Sequence, residues 1–273
     1  MIAPIVDSSW LHEHRSDVIL ADVRWYLDGR SGRDAYDKGH IPGAVFIDLE
    51  NSLAGHGGEE VGRHPLPTPS IFAEDMSESG IGNGATVVAY DDAGGVIAAR
   101  LVWMLRALGE SAALLNGGLQ SYKGTLQTGS ESLPRADFSA RPWPRSRLAD
   151  LDEASNPENI VIDARNRDRY RGENELLDPR AGHIPGAINI PCRENLNADD
   201  TFLPTEVLRQ RFEDAGVKAG EDVISYCGSG VTACHNLLAM EFIGLGQGRL
   251  FPGSWSQYSQ AAGRPVSTGS EPK

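Results

Sequence analysis

The stretch Asp222-Val223-Ile224-Ser225-Tyr226-Cys227-Gly228-Ser229-Gly230-Val231-Thr232 carries the strongest structural signal in the chain. Its first five residues form a short apolar run that reads as a buried strand. The next six form a tight, glycine-containing loop that opens on a cysteine. Beyond it, Val231 to Ile243 has a helical pattern with apolar Leu237, Leu238, Met240 and Ile243. A cysteine therefore stands where a strand ends and a helix begins. Successive backbone N–H groups in such a loop can point inward, and the helix dipole adds positive potential, so the environment favours a thiolate. The alternative is a buried structural cysteine, as most free cysteines are. The two glycines that flank Ser229 favour the reactive reading.

Working outward, the same pattern occurs twice. Asp22-Val23-Arg24 is echoed by Asp163-Ala164-Arg165, and Gly39-His40-Ile41-Pro42-Gly43-Ala44 by Gly182-His183-Ile184-Pro185-Gly186-Ala187. Thr86 to Tyr90 is echoed by Asp222 to Tyr226, and Asn116-Gly117-Gly118-Leu119-Gln120-Ser121-Tyr122 by Pro252-Gly253-Ser254-Trp255-Ser256-Gln257-Tyr258. Four matches in one order mean two homologous domains, not a solenoid, whose period is shorter. In the first copy, 18–23, 45–47, 86–90 and 112–115 read as strands, and 69–79 and 97–108 as helices. In the second, 160–164, 187–190, 222–226 and 249–251 read as strands, and 205–215 and 231–243 as helices, with Thr205 as an N-cap. The expectation is α/β: two tandem domains, each a mostly parallel sheet with helices on both faces. The first domain spans 1–126 and lacks a catalytic cysteine. Residues 127–147, rich in Pro, Ser and Gly, form a linker held down by Phe138 and Trp143. The second domain spans 148–273 and ends in a loosely held tail from Gly263 to Lys273.

The copies differ at the loop. Where the second has Cys227, the first has Asp91, in Tyr90-Asp91-Asp92-Ala93-Gly94-Gly95. An aspartate is no sulfur nucleophile, so only one copy is competent. Asp91 and Asp92 read as residues that satisfy their own loop.

Composition narrows the function. The net charge of -13 and the pI near 4.9 argue against nucleic acid and anionic membranes as partners. No signal peptide or apolar run of membrane-spanning length is visible, and three cysteines do not suggest a disulfide framework, so a reducing cytoplasm is expected. Cysteine spacing does not match a zinc site, and no nucleotide fingerprint occurs; no metal and no cofactor are expected.

The repeated Gly-His-Ile-Pro-Gly-Ala motif, the single cysteine loop in the second copy, and Gly253-Ser254-Trp255 together resemble the tandem-domain rhodaneses, a family of sulfurtransferases. The resemblance covers nearly the whole chain. The loop, down to Ala233-Cys234-His235, is most similar to the 3-mercaptopyruvate type, because the thiosulfate type usually carries basic residues just after the cysteine. The resemblance implies that Cys227 forms a persulfide and that Ser229 works with His64, in Arg63-His64-Pro65, and with Glu50, where the family usually shows aspartate. It implies Arg169 and Arg180 as ligands of the donor carboxylate. The loop itself, at Gly228, Gly230, Val231 and Thr232, reads as a backbone N–H cradle for the substrate.

A persulfide needs a site that stabilises negative charge, which backbone N–H groups can supply. A covalent intermediate predicts ping-pong kinetics. Taking sulfur from 3-mercaptopyruvate leaves the enolate of pyruvate, which needs a proton; Ser229 linked to His64 provides a route, with Glu50 orienting the imidazole. A carboxylate donor calls for arginine. Gly228 and Ser229 bring no cation for thiosulfate, a dianion, which argues for mercaptopyruvate. Phosphatases of related fold use Cys-x5-Arg, but position 233 is alanine. The expected acceptors are cyanide, a small thiol, or a dithiol protein such as thioredoxin. The alternatives are a thiosulfate:cyanide sulfurtransferase and, more remotely, a persulfide carrier or regulatory module without turnover of its own. His40, His183, Arg24 and Arg165, present in both copies, read as structural. Cys192 and Cys234 read as packing, Trp255 as a lid or packing residue, and His235 as lying on the exposed side of its helix.

Overall fold

The computed structural model describes residues 1–218 and 223–272, so Asp222, expected to open a strand, and Lys273 at the end of the tail lie outside the described residues. The chain folds as two compact units. The first comprises Met1–Gly55, Pro67–Trp143 and Leu196–Phe202; the second comprises His56–Leu66, Pro144–Asn195 and Leu203–Lys273. The short segment His56–Leu66 thus belongs to the unit that contains Cys227, although it lies early in the first repeat.

The first unit holds strands β1 (Ile5–Val6), β2 (Ile19–Asp22), β3 (Ala44–Phe46), β4 (Thr86–Tyr90) and β5 (Ser111–Leu115) in one parallel sheet, ordered β1-β5-β4-β2-β3. Along β2, Leu20 and its neighbour Ala21 are both fully buried, as are Val88 and Ala89 on β4. Successive strand residues point to opposite faces, so both faces of this sheet are covered, and the strands read as apolar runs instead of alternating patterns. One of those faces packs Leu20, Val88, Ala113 and Leu115 against Leu11, Val18 and Ile41.

The second unit repeats the arrangement with β6 (Ile160–Asp163), β7 (Ile188–Asn189), β8 (Val223–Tyr226) and β9 (Arg249–Leu250), parallel and ordered β7-β6-β8-β9. The last residue of central strand β8 is Tyr226, so Cys227 is the first residue past its carboxyl end, where ligands bind in open α/β sheets. The helix Ala233–Phe242 follows the loop.

The shared motifs have shared structural duties. Arg24 forks onto Asp22 and donates to the Gly39 carbonyl; Arg165 does the same with Asp163 and Gly182. His40 stacks on Tyr36 at 3.9 Å, and His183 stacks on Tyr170 at 3.7 Å. Burial pulls the His183 pKa below its usual value, as expected of a neutral structural imidazole. Phe138 and Trp143 pack on Phe72, and the Trp143 indole N–H donates to the Pro67 carbonyl, so this part of the connecting stretch is held down.

Some local expectations are corrected. Thr205 is the first residue of its helix, and the cap position is Pro204, which has no side-chain donor or acceptor to offer. His235 is completely buried, because the helix Ala233–Phe242 is buried from Ala233 through Met240 instead of having one wet face. Trp255 is fully buried too, its indole N–H donating to the Arg180 carbonyl; it packs and does not act as a lid. Helices Ser8–Glu13 and Gly32–Lys38 and the edge strand β1 went unrecognised in the sequence.

Candidate active site

The Cys227 loop is built from the backbone upward. Cys227 is 2% exposed. Its N–H donates to the Ser254 hydroxyl at 3.1 Å, and that hydroxyl donates onward to the Phe251 carbonyl. Its carbonyl accepts from Trp255 N–H, and the Gly228 carbonyl accepts from Ser256 N–H. The turn Pro252-Gly253-Ser254-Trp255 therefore clamps the loop from the side. Ser254 sits at φ +51°, a left-handed conformation uncommon for a residue other than glycine and held only where the surroundings demand it. Gly230 has φ +77°, and a Cβ there would stand 2.5 Å from the Pro252 carbonyl oxygen, so no larger residue fits. The Cys227 N–H, which is not among the residues expected to form the cradle, is committed to Ser254.

Above the loop, His64 Nδ1 lies 2.8 Å from Ser229 Oγ. The two are 165 positions apart in sequence but belong to one compact unit. Beside the loop stand two guanidiniums. A Cβ placed on Gly228 would meet Arg63 Nη2 at 3.2 Å and Arg169 Nη1 at 3.3 Å. Arg63 was not singled out in the sequence; its signal is its adjacency to His64. The loop carries no cation of its own, but two are delivered to Gly228 from elsewhere, which weakens the sequence argument against a dianionic donor.

Both arginines are held by carboxylates. Glu175 accepts from Arg169 Nη2 at 2.8 and 2.9 Å and lies 3.5 Å from Arg165 Nη1. Asp178 accepts from Arg169 Nη2 at 3.2 Å and pairs with Arg63 Nη1. Both carboxylates are 2% exposed.

Arg180 is not brought to the loop. Its guanidinium donates to the carbonyls of Tyr258, Ser259, Ala261 and Arg264, tying down the chain that leaves helix Ser254–Tyr258. With those four bonds made, it acts as a backbone staple and not as a carboxylate ligand. Glu50 lies in the other unit, exposed on the short helix Leu49–Ser52, where its carboxylate accepts the Trp25 indole N–H at 2.9 Å.

The other cysteines are buried thiols outside any disulfide. Burial pushes the Cys192 thiol up to about 12. Cys234 Sγ lies 3.4 Å from the Gly230 carbonyl. Among the described residues, no group of histidines, cysteines and acids could hold a metal ion, and no helix is long and apolar enough to cross a membrane.

Two parallel α/β units, one of which presents a clamped cysteine loop at a strand end, define a class, and comparison with known proteins places the chain in it. The model of the rhodanese-like domain matches residues 7–125 and again 147–261, so the chain belongs to the rhodanese family. A Pseudomonas aeruginosa protein named "Probable 3-mercaptopyruvate sulfurtransferase" is 42% identical over 267 residues, 93% of each chain. A Mycobacterium tuberculosis protein named "Putative thiosulfate sulfurtransferase SseB" is 38% identical over 260 residues, 92% of this chain and 91% of that one. The crystal structure of SseA from Escherichia coli, titled for the rhodanese fold and catalytic mechanism of 3-mercaptopyruvate sulfotransferases, superposes with a TM-score of 0.81 at 32% identity, covering 93% of this chain and all of that one.

Proposed function

We propose that the chain is an enzyme, a sulfurtransferase that takes sulfur from 3-mercaptopyruvate onto Cys227 and releases pyruvate. The observation that carries this reading is the 2.8 Å contact between His64 and Ser229 in the unit that holds Cys227. The Cys227 thiolate attacks the donor sulfur, an S–S bond forms, and the C–S bond breaks. The bond's electron pair goes to the enolate of pyruvate. The proton on the donor thiol ends on the pyruvate methyl group, leaving a persulfide anion, so one proton must move. Ser229 and His64 move it. Glu50 enters as the acid that orients the imidazole, on the resemblance alone. Arg169 and Arg63 bind the donor's carboxylate, and backbone N–H groups between Gly228 and Thr232 hold the persulfide. The persulfide then passes its outer sulfur to a thiophilic acceptor: cyanide, a small thiol, or a dithiol protein such as thioredoxin. We place this chemistry in the cytoplasm, where a reducing environment keeps Cys227 a free thiol.

Thiosulfate is the second reading. It is favoured by the two guanidiniums beside Gly228 and by the name of the M. tuberculosis relative. Its transfer releases sulfite and needs no proton. One assay separates the two. Purified protein is given cyanide with either donor, and pyruvate and thiocyanate are followed. The expected result is pyruvate far above a Cys227→Ser control and slower thiocyanate from thiosulfate. Pyruvate no higher than the control would sink the leading reading; faster turnover of thiosulfate would put the second in its place.

A further inference from the structure

We infer that Asp178 sets the charge of the donor-binding site and so selects a singly charged donor over a doubly charged one. The inference rests on the reading that the anionic group of the donor binds at Arg63 and Arg169. The two guanidiniums share this one carboxylate: Asp178 Oδ1 takes Arg63 Nη1, and Oδ2 takes Arg169 Nη2 at 3.2 Å. The other terminal nitrogens, Arg63 Nη2 and Arg169 Nη1, come nearest to Gly228, at 3.2 and 3.3 Å from a Cβ placed there, with Arg169 Nη2 at 3.8 Å. Asp178 thus holds both forks beside the loop, each with its other terminal nitrogen nearest to Gly228, and it cancels part of their charge. The connected cluster is Asp163, Arg165, Glu175, Arg169, Asp178 and Arg63, three carboxylates against three guanidiniums. It is formally neutral.

A formally neutral platform discriminates by charge. A 2-oxo acid brings one negative charge, which the facing guanidinium nitrogens can pair. A dianion brings a second charge, close to a carboxylate that is 2% exposed and poorly screened by water. Removing the Asp178 charge adds one net positive charge where the donor binds. It therefore benefits the dianion more than the monoanion. Asp178 is a positioning residue, and a loss of position alone would weaken both donors together. Only the ratio between donors reports the charge.

The test compares kcat/KM for thiosulfate and for 3-mercaptopyruvate in wild type, Asp178→Asn, Asp178→Ser and Asp178→Glu. The ratio of thiosulfate to 3-mercaptopyruvate should rise about tenfold in the Asn and Ser variants, fall back as salt is added, and stay near wild type in the Glu variant. An unchanged ratio in folded Asn or Ser variants would overturn the inference, even if both rates fell. Protection of Cys227 from iodoacetamide by pyruvate and by sulfate, compared in wild type and Asp178→Asn, provides a reading that needs no turnover. Pyruvate should protect wild type at lower concentration than sulfate, and this advantage should shrink in the variant; equal protection in wild type, or an advantage unchanged in the variant, would also overturn the inference. Failure of the wild type to release pyruvate would count against the proposed donor and leave the protection result to decide the role of Asp178.

Discussion

His64 Nδ1 and Ser229 Oγ stand 2.8 Å apart at the loop that carries Cys227. A serine hydroxyl in contact with an imidazole can pass a proton, and the two donors differ in whether one must move. His64→Ala and Ser229→Ala should each lower kcat with 3-mercaptopyruvate by about a hundredfold, the scale of lost general acid–base catalysis. Their combination should cost little more than either alone, because groups that act as a unit are not additive. Persulfide formation from thiosulfate should be nearly spared. Single-turnover assays with each donor check this, and equal loss with both would show that the pair holds the loop and does not move a proton.

Asp91 tests the anion-binding geometry of the loop in the first copy. It is fully buried, and its carboxylate accepts from Ala93 and Gly95 N–H on one oxygen, at 2.8 and 2.7 Å, and from Ile97 and Ala98 N–H on the other, at 2.8 and 2.9 Å. The first copy thus fills with its own carboxylate the kind of loop that in the second copy carries the thiol. Asp91→Ala would leave these donors buried without their acceptor and should destabilise the protein by about 3 kcal/mol or more. Urea denaturation gives the answer; a loss below about 1 kcal/mol would mean that the loop relaxes or takes up water instead.

The fold was legible from the repeat because parallel strands covered on both faces appear as short apolar runs, and because Gly-His-Ile-Pro-Gly serves the same Arg–Asp pairing in each copy. Strand β1 was not legible: two residues have no period, and Ile5 and Val6 become a strand only by pairing with Leu114 and Leu115. In the site, Cys227 and Ser229 were visible as a local motif, and Arg169 followed from resemblance. The roles of Arg63 and Ser254 were not visible: Arg63 is marked only by its adjacency to His64 and reaches Gly228 through space, and Ser254 belongs to a repeated motif that does not reveal its clamp on the Cys227 N–H. Arg180 misled because an arginine near an active-site motif looks the same whether it faces a ligand or four carbonyls.

Ser254 makes a prediction of its own. Its hydroxyl joins Cys227 N–H to the Phe251 carbonyl, at φ +51°. Ser254→Ala keeps the backbone conformation uncommon and leaves a buried N–H unpaired, which should cost about 1–3 kcal/mol and reduce turnover with both donors alike. Ser254→Gly loses the same hydroxyl but suits the left-handed conformation, and it should be the milder of the two in thermal denaturation. The reverse order would show that the hydroxyl and the backbone angle are not coupled in this way.

Acid should weaken the second unit through Glu153. Burial raises its pKa, but the Asp150 N–H and the guanidiniums of Arg145 and Arg249 outweigh that and hold it at about 2, against an ordinary 4.5. A carboxyl with a depressed folded-state pKa contributes stability that is present above about 4.5 and is lost as pH falls towards about 2. The side chain is 31% exposed, so solvent screening reduces the contribution to about 1–2 kcal/mol. Glu153→Gln should lower stability by that amount at pH 7 and flatten part of the decline between about pH 4.5 and pH 3. Urea midpoints across that range check it, and a variant whose curve stayed parallel to wild type would remove Glu153 from the acid response.

Reagents should find Cys227 first. Burial pushes the Cys192 thiol up to about 12, so at pH 8 only about one molecule in ten thousand carries the thiolate there. Cys234 is fully buried on its helix. Cys227 is also nearly buried, but it opens the loop at the carboxyl end of β8, and its sulfur must meet a donor for any transfer to occur. Iodoacetamide at pH 8 should therefore add one label to the folded protein, on Cys227, and abolish turnover in step with labelling. Peptide mapping by mass spectrometry reads the site. A label on Cys192 at a comparable rate would mean that its surroundings open on the timescale of the experiment, and inactivation that followed Cys192 instead of Cys227 would move the nucleophile itself.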